Sequence, residues 1–283
     1  MLFKKVIVLL SVVTCFTLCS CKGSETNQKE TVVPPAATNE FHCSILKVGQ
    51  ADAMILRTAN HTVIIDCGEE DDGDEVVEYL QDNMIESVDY LFITHFDKDH
   101  VGGVPEVIEH VDIKQIVSPD YEGSNDAYEN YRKTITDKNI SPILLTENMS
   151  FILDDVLFEV YPPQKKSYAE GDNDFSLAIS VTHGDNSFLF TGDAESVRLS
   201  EIMEQTDREY DFLKFPHHGR YNNKTKMFIE AVNPTYAVIT CSEKNPAEEE
   251  TISVLENANC KVYYTKDGNV DVKSDGSEII ITQ

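Results

Sequence analysis

Residues 93–103 read ITHFDKDHVGG and place two histidines and two aspartates within six consecutive positions. The four side chains are those of His95, Asp97, Asp99 and His100, and the paired glycines Gly102 and Gly103 follow them. The apolar run YLFI stands directly in front, as in a buried strand that ends where the charged residues begin. A polar turn after a strand is one interpretation. The crowding of groups that can bind a cation favours the other, a metal site.

The rest of the chain alternates short apolar runs with stretches of helical spacing. Strands are predicted at 41–48, 53–57, 62–66, 90–93, 113–117, 151–153, 157–161, 177–181, 187–190, 212–215, 236–240 and 261–264, with a closing hairpin. Helices are predicted at 75–80, 104–111, 128–135, 197–205, 225–232 and 249–257. Each half begins with strands and then alternates strand with helix. This pattern predicts an α+β fold, an αββα sandwich of two packed sheets with helices outside.

The predicted order places the charged cluster at the carboxyl end of a strand, in the loop before a helix. Ligand-binding groups of α/β folds collect at such ends. Gly102 and Gly103 let the backbone turn closely beneath the cluster. Imidazole nitrogens and carboxylate oxygens suit Zn²⁺, Mn²⁺ or Fe²⁺ better than they suit a metal that prefers thiolates.

The first forty residues have the order of an export signal and a tether. Lys4 and Lys5 precede an apolar run at 6–18, which is typical of a secretory signal peptide. The run is about 13 residues, shorter than the roughly 20 needed to span a bilayer. LCSC at 18–21 matches the order of a bacterial lipobox and predicts lipid on Cys21; an ordinary secretion signal or an uncleaved anchor is the alternative.

These features divide the chain into a lipoprotein signal peptide at 1–20, a lipid anchor and flexible tether at 21–40, and one domain at 41–283. We therefore expect the domain on the extracellular face of the bacterial cytoplasmic membrane, held there by lipid.

The charge is strongly negative. The formal net charge is −27, and removal of residues 1–20 would take away two lysines and no acid, giving −29. Such a chain is not a general binder of nucleic acid or anionic membranes. Residues 213–226, LKFPHHGRYNNKTK, are the exception and carry four cations: Lys214, Arg220, Lys224 and Lys226. We interpret them either as phosphate-binding groups or as ordinary exposed charges.

Four cysteines follow the tether: Cys43, Cys67, Cys241 and Cys260. They could form two disulfides in any of three pairings. None has the C-x-x-C spacing of a zinc or redox site, so we expect buried thiols.

The cluster THFDKDHVGG is similar to the signature of the metallo-β-lactamase superfamily, in its H-x-D-x-D-H variant. Other matching pieces follow in the same order: LKVGQADAMIL (46–56), VIIDCG (63–68), NDFSL (173–177), LFTGDA (189–194), LKFPHHG (213–219) and PTYAVIT (234–240). Together they resemble the extracellular hydrolase domain of ComEC-type DNA-uptake proteins and its free-standing relatives. The resemblance covers nearly all of residues 41–283.

The resemblance implies one or two divalent ions per chain, Zn²⁺ or Mn²⁺. The implied ligands are His95 and Asp97 for one ion, Asp99, His100 and one histidine of the pair His217–His218 for the other, and Asp193 as the bridge.

The sequence departs from the family pattern at three places, one of which is 247–250, where it reads AEEE and relatives often carry Gly-His-Pro. Classical members have a further histidine upstream of the bridging aspartate, where this chain reads GDNDFS, so Asn173 or Asp174 is the expected replacement. An oxygen-rich first site would favour harder ions such as Mn²⁺ or Mg²⁺. His183, the nearest histidine, lies between two predicted strands and is interpreted as a hairpin residue. Arg220 stands where relatives usually have serine.

These features predict a metal-dependent hydrolase in which a metal-bound hydroxide is the nucleophile. A phosphodiester is favoured because two cations can bind the attacking and leaving oxygens, and because the resembled domain is associated with DNA degradation. Asp99, Asp193 and Arg220 are the expected catalytic residues, with Arg220 gripping a phosphate.

The alternatives are a hydrolase of lactones, β-lactams or other esters, and a non-catalytic metal-binding surface lipoprotein. The expected partners are a phosphodiester substrate, nucleic acid included, and the membrane through Cys21. No protein partner is inferred.

Overall fold

The computed structural model describes residues 36–169 and 171–283. The predicted signal peptide, Cys21 and most of the predicted tether lie outside the described residues. None of the helices in the described part is long and apolar enough to cross a membrane.

Seventeen strands and seven α-helices make up most of the regular structure of the described residues. In chain order the strands are β1 (Phe41–Ile45), β2 (Ala53–Arg57), β3 (Thr62–Cys67), β4 (Ser87–Val88), β5 (Tyr90–Phe92), β6 (Asp112–Ile113), β7 (Ile116–Pro119), β8 (Ile143–Leu145), β9 (Met149–Leu153), β10 (Val156–Tyr161), β11 (Ala178–His183), β12 (Asn186–Phe190), β13 (Phe212–Lys214), β14 (Tyr236–Ile239), β15 (Lys261–Tyr264), β16 (Val270–Ser274) and β17 (Ile279–Thr282). The helices are α1 (Gly73–Asp82), α2 (Lys98–Val101), α3 (Val104–His110), α4 (Asp126–Asp137), α5 (Ser196–Thr206), α6 (Thr225–Val232) and α7 (Glu249–Asn257).

Two large sheets are built in the same way. The first has the order β17-β16-β1-β2-β3-β5-β7-β8, and the second has the order β15-β14-β13-β12-β11-β10-β9. In the first sheet β1 to β3 are antiparallel, whereas β3, β5, β7 and β8 are parallel. In the second, β9 to β12 are antiparallel and β12 to β15 are parallel. The parallel strands of each sheet therefore end at a common edge.

Three apolar layers hold the sandwich together. The central layer lies between the sheets and includes Phe92 of the first sheet with Phe158 and Phe188 of the second. Helices α1, α3 and α4 cover the outer face of the first sheet, and α5, α6 and α7 cover that of the second. Strand β3 is buried at every position, as expected for a strand with both faces covered. The predicted αββα sandwich is confirmed.

Several details of the predicted secondary structure are wrong, and the short elements α2 and β4 were not predicted. The strand expected at 113–117 is divided, because β6 pairs with β4 in a separate two-stranded sheet while β7 joins the first large sheet. Strand β8 was not predicted: its three residues are too few to show a period, and two of them are exposed. His183 ends β11 at a hairpin, as predicted, and its Nδ1 lies 2.8 Å from Ser274 Oγ.

The four cysteines after residue 40 are free and buried. Burial raises the pKa of the Cys67 thiol well above its usual value, and the charge of Asp66 adds to this effect. The expectation of buried thiols is confirmed.

The turn that carries the charged cluster packs against backbone through its two glycines. A Cβ on Gly103 would lie 2.2 Å from the carbonyl oxygen of Cys67 and 2.9 Å from the Cα of Gly73. A Cβ on Gly102 would lie 2.4 Å from the carbonyl oxygen of Lys98. The close approach presses the turn onto the end of β3 and the start of α1.

We expect Gly103→Ala to lower the free energy of unfolding by about 2 to 3 kcal/mol, because backbone must shift to admit the methyl group. Gly49→Ala is the control: its Cβ would have no neighbour within 4 Å, and only its positive φ of 79° opposes the change, at about 1 kcal/mol. Urea unfolding of both variants tests the difference. Equal losses would contradict the packing argument.

Candidate metal centre

Loops at one end of the sandwich bring residues of both sheets together. In the first sheet Asp66 lies near the end of β3, and β5 leads into the cluster that begins at His95. In the second sheet β12 leads into Asp193, and β13 leads into the pair His217–His218. The two edges meet, since His100 Nε2 lies 3.3 Å from Asp193 Oδ1.

Four residues form one compact group of potential metal ligands: Asp99, His100, Asp193 and His218. One donor atom from each lies within 4.8 Å of the others. His218 Nε2 is 3.1 Å from Asp193 Oδ2 and 3.3 Å from Asp99 Oδ2. The group contains every residue that the sequence assigned to the second ion and the bridge, with His218 as the histidine of the pair.

The Nδ1 atoms of His100 and His218, which face away from the four-residue group, each have a polar partner. His100 Nδ1 lies 2.8 Å from Asp66 Oδ2, and His218 Nδ1 lies 3.0 Å from the carbonyl oxygen of Thr240. A carbonyl oxygen can only accept, so His218 Nδ1 carries the hydrogen and Nε2 faces the group. Metal-binding histidines in proteins usually have such a partner on the second nitrogen.

Several buried atoms at the centre that could bind a metal ion have no hydrogen-bond partner among the described residues. They are His95 Nε2, His100 Nε2, His218 Nε2 and Asp193 Oδ1. The contacts between these imidazoles and Asp193 are within ion-pair distance but lack the geometry of hydrogen bonds. Buried polar atoms are rarely left unsatisfied, and imidazole nitrogen with carboxylate oxygen is a common ligand set for a divalent ion. The residues present therefore fit a metal ion.

The electrostatics of the group favour positive charge. Burial alone would lower the pKa of His100, but the carboxylates of Asp193 and Asp66 outweigh it and hold that pKa well above its usual value. Burial would also lower the pKa of His218, but the carboxylates of Asp193 and Asp99 outweigh it and raise that pKa to about 9. The carboxylates that favour an extra proton on each ring would also favour a cation between them.

His95 and Asp97 lie beside this group. The rings of His95 and His100 have centroids 4.1 Å apart, and His95 Nε2 is 3.5 Å from Asp97 Oδ2. The His95 side chain is fully buried, whereas that of Asp97 is 38% exposed. The structure thus places both residues next to the four-residue group, and their role as ligands of the first ion stays a prediction.

Asn173, Asp174 and His217 are tied to the start of α5. Asp174 Oδ1 accepts hydrogen bonds from the backbone nitrogens of Glu195 and Arg198, at 3.0 and 3.1 Å. The Glu195 carboxylate lies 3.2 Å from Asn173 Nδ2 and 3.0 Å from His217 Nδ1. His217 Nε2 is 3.9 Å from Asp193 Oδ2. These residues line the side of the centre, and their metal roles stay predictions.

The His217–His218 turn has an unusual backbone. Both histidines have positive φ, 48° and 52°, a conformation that residues other than glycine seldom adopt. Such strain costs about 1 to 3 kcal/mol per residue and is found where a site needs it. Here the strained turn presents both rings to Asp193.

The basic segment is only partly available to a ligand. Lys214 is fully buried, so the interpretation of Lys214 as a phosphate-binding group is wrong. Arg220 and Lys226 are exposed and Lys224 is half-buried. The backbone nitrogen of Arg220 donates to the carbonyl oxygen of His217 at 2.9 Å, which keeps this cation next to the centre.

Sequence reasoning missed three residues that contact the ligands or the partners of the ligands: Asp52, Asp66 and Thr240. It also missed that Lys214 is buried. Asp52 and Asp66 are both fully buried. For two of the three charged residues a signal was present in the sequence, since Asp66 interrupts VIIDC and Lys214 interrupts FLKF. A charge within an otherwise apolar strand requires a buried partner.

A family model described as the metallo-beta-lactamase superfamily matches residues 46–242, and the chain belongs to this superfamily. It is 24% identical to ComE operon protein 3 of Bacillus subtilis over 241 residues, which covers 78% of this chain and 31% of that protein. It is also 39% identical to Ribonuclease J of Mycoplasma pneumoniae over 66 residues, covering 20% of this chain and 11% of that protein.

Among solved structures, the fold is similar to that of Igni18, a metallo hydrolase from the archaeon Ignicoccus hospitalis. The TM-score is 0.51 at 17% identity, with 86% of this chain and 99% of that chain covered. The likeness supports the fold. The predicted resemblance to ComEC-type hydrolase domains is confirmed, and the chain spans about a third of the length of the B. subtilis relative. The chain thus belongs to a superfamily of hydrolases whose fold uses divalent metals.

We expect Asp193→Ala to lower bound metal to a trace, because Asp193 contacts both histidines of the four-residue group. Asp97→Ala should remove only the more weakly held ion. Elemental analysis of protein purified with ample Mn²⁺ or Zn²⁺ measures both, and Asp137→Ala, an exposed carboxylate at the end of α4, is the control. Less than a tenth of an ion per wild-type chain would rule the site out.

Proposed function

We propose that this chain is a metal-dependent phosphodiesterase, with nucleic acid among its candidate substrates, that acts outside the cytoplasmic membrane. The observation that carries the proposal is the convergence of Asp99, His100, Asp193 and His218 on one point, where the Nε2 atoms of both histidines have no hydrogen bond among the described residues. That point is open on one side, where Asp97, Asp99 and His217 have side chains 38%, 22% and 18% exposed.

A divalent ion held there would lower the pKa of a water molecule and stabilise the negative charge that develops during hydrolysis. The residues of the chain have separate tasks. Asp193 and His218 would hold the ion from the second sheet, and His100 would hold it from the first. Asp99 lies at the open side, where its carboxylate can accept a hydrogen bond from a water molecule and orient it.

Asp99 is held in its ionised form at neutral pH. Burial raises the pKa of its carboxyl, but the imidazoles of His218 and His100 outweigh that effect and hold the pKa below its usual range. The group is therefore ionised and can only accept hydrogen bonds.

Two observations favour a phosphodiester over a neutral ester. Arg220 places an exposed guanidinium next to His217, and a guanidinium can bind two oxygens of a phosphate at once. The local similarity to Ribonuclease J adds a relative whose name specifies phosphodiester cleavage. A neutral lactone offers no comparable charge for Arg220. Hydrolysis of lactones or other esters, and metal binding without turnover, remain the alternative functions.

The location is part of the proposal. The apolar run at 6–18 and LCSC at 18–21 support export and lipid attachment at Cys21. A tether at 21–40 would then hold the hydrolase domain clear of the membrane surface. The substrate would be a phosphodiester met outside the cytoplasm.

We expect metal-loaded protein to hydrolyse bis-p-nitrophenyl phosphate or single-stranded DNA, and Arg220→Ala to lower kcat/KM by about tenfold, equivalent to ~1.4 kcal/mol for one charge-assisted contact. Lys273→Ala is the control, because it removes an exposed positive charge from the other end of the sandwich, on β16 opposite His42. Initial rates at several substrate concentrations give both constants. Turnover of lactones or β-lactams with phosphodiesters untouched would overturn the substrate assignment.

We expect Cys21→Ala to release or misprocess the protein and leave its hydrolase activity intact, because lipid on Cys21 would be the only covalent attachment. Membrane fractionation and the mass of the mature protein measure the effect. An unchanged membrane fraction together with an unchanged mature mass would rule out the lipid anchor.

A further inference from the structure

A buried lysine lies directly behind the metal centre. Lys214 ends β13 and is the only lysine that the described residues bury completely. Its Nζ forms an ion pair with Asp52 Oδ2, donates to the carbonyl oxygen of Gly192 at 3.2 Å, and lies 3.7 Å from Asp193 Oδ1. The contact with Gly192 is a hydrogen bond, and the contacts with the two carboxylates are ion pairs.

The ammonium stays charged in this setting. Burial would lower the pKa of Lys214, but the carboxylates of Asp52 and Asp193 outweigh burial and raise it. Because the adjacent Asp52 carries the opposite charge, the pair adds little net charge to the centre. Repulsion between Lys214 and a bound metal ion is therefore small.

Asp52 connects this lysine to a ligand on another loop. Its Oδ1 accepts a hydrogen bond from Thr240 Oγ1 at 2.6 Å, and the carbonyl oxygen of Thr240 holds His218 Nδ1 at 3.0 Å. The backbone nitrogen of Asp52 donates to the carbonyl oxygen of Asp99 at 3.0 Å. Asp52 thus contacts the partner of His218 through its carboxylate and the backbone of Asp99 through its own backbone.

We propose that Lys214 and Asp52 are positioning residues for the metal centre, in which Lys214 sets the Asp193 carboxylate and Asp52 sets the His218 ring through Thr240. The pair makes no contact with substrate in this arrangement and acts through the ligands. The inference rests on the metal site of the proposed function. It adds that affinity for the ion depends on a salt bridge that does not itself bind the ion.

The pair has two separable effects. Removing Lys214 leaves the Asp52 charge buried without a cation, which destabilises the fold. It also frees the Asp193 carboxylate, and loss of a partner behind a metal ligand typically weakens metal affinity by about 10- to 100-fold. A variant that removes both charges corrects the first effect and leaves the second.

The test is Mn²⁺ affinity by equilibrium dialysis, with the melting temperature of metal-free protein measured alongside. Lys214→Met should lower the melting temperature by about 10 °C and weaken Mn²⁺ binding at least tenfold. The double variant Lys214→Met with Asp52→Asn should recover most of the melting temperature and still bind Mn²⁺ at least tenfold more weakly than wild type.

Arg198→Met is the matched control, because Arg198 is also fully buried and paired with an acid, Glu201 at 3.2 Å. It should lower the melting temperature and leave Mn²⁺ affinity within about twofold. Wild-type affinity in the double variant would show that Lys214 and Asp52 only stabilise the fold, and would overturn the inference. So would equal or tighter binding by Lys214→Met. A wild-type protein that binds no Mn²⁺ would remove the metal site itself, which distinguishes failure of the proposed function from failure of this inference.

Discussion

The end of the sandwich that carries the site depends on the burial of several carboxylates in a small volume. Asp52, Asp66 and Asp193 are at most 3% exposed and surround His100. An isolated buried carboxylate costs several kcal/mol, so these three require cations or hydrogen-bond donors nearby. The fold supplies Lys214, the rings of His100 and His218, and the hydroxyls of Thr94 and Thr240. A metal ion is the further cation that such an arrangement accommodates.

This arrangement needs both sheets at once. The first sheet supplies Asp66 and His100, and the second supplies Asp193, Lys214 and the His218 turn. Each sheet repeats one topology, antiparallel strands followed by parallel strands, which places a row of strand ends at the same end of each layer. The apolar layer between the sheets then sets their spacing, so packing far from the site decides whether Asp193 reaches His100. The geometry of the site therefore depends on packing in the core.

The sequence was informative about groups that are close along the chain. His95, Asp97, Asp99 and His100 lie within six residues, and strand-then-turn spacing placed them correctly at the end of β5. It was less informative about partners that meet only after folding: Thr240 donates to Asp52 across 188 positions of sequence, and no local pattern records that contact. Lys214 was misread for the same reason, because a lysine beside a histidine pair looks exposed until the carboxylates that bury it are known. Strand β8 was missed because three residues carry no period.

The strongly acidic composition is compatible with a phosphodiester substrate once distance is considered. A formal net charge of −27 repels a polyanion from most of the surface. Exposed charges are screened over roughly 8 Å at physiological ionic strength, so the charges near the opening decide whether a phosphate can approach. Between Phe212 and Ile229 the chain contains four lysines and arginines and no acid, and two of those cations, Arg220 and Lys226, are exposed. Buried carboxylates matched to Lys214 and to a metal ion add little further repulsion. The negative surface would thus discourage binding elsewhere on the domain, and a phosphodiester would find its favourable contact where Arg220 borders the metal centre.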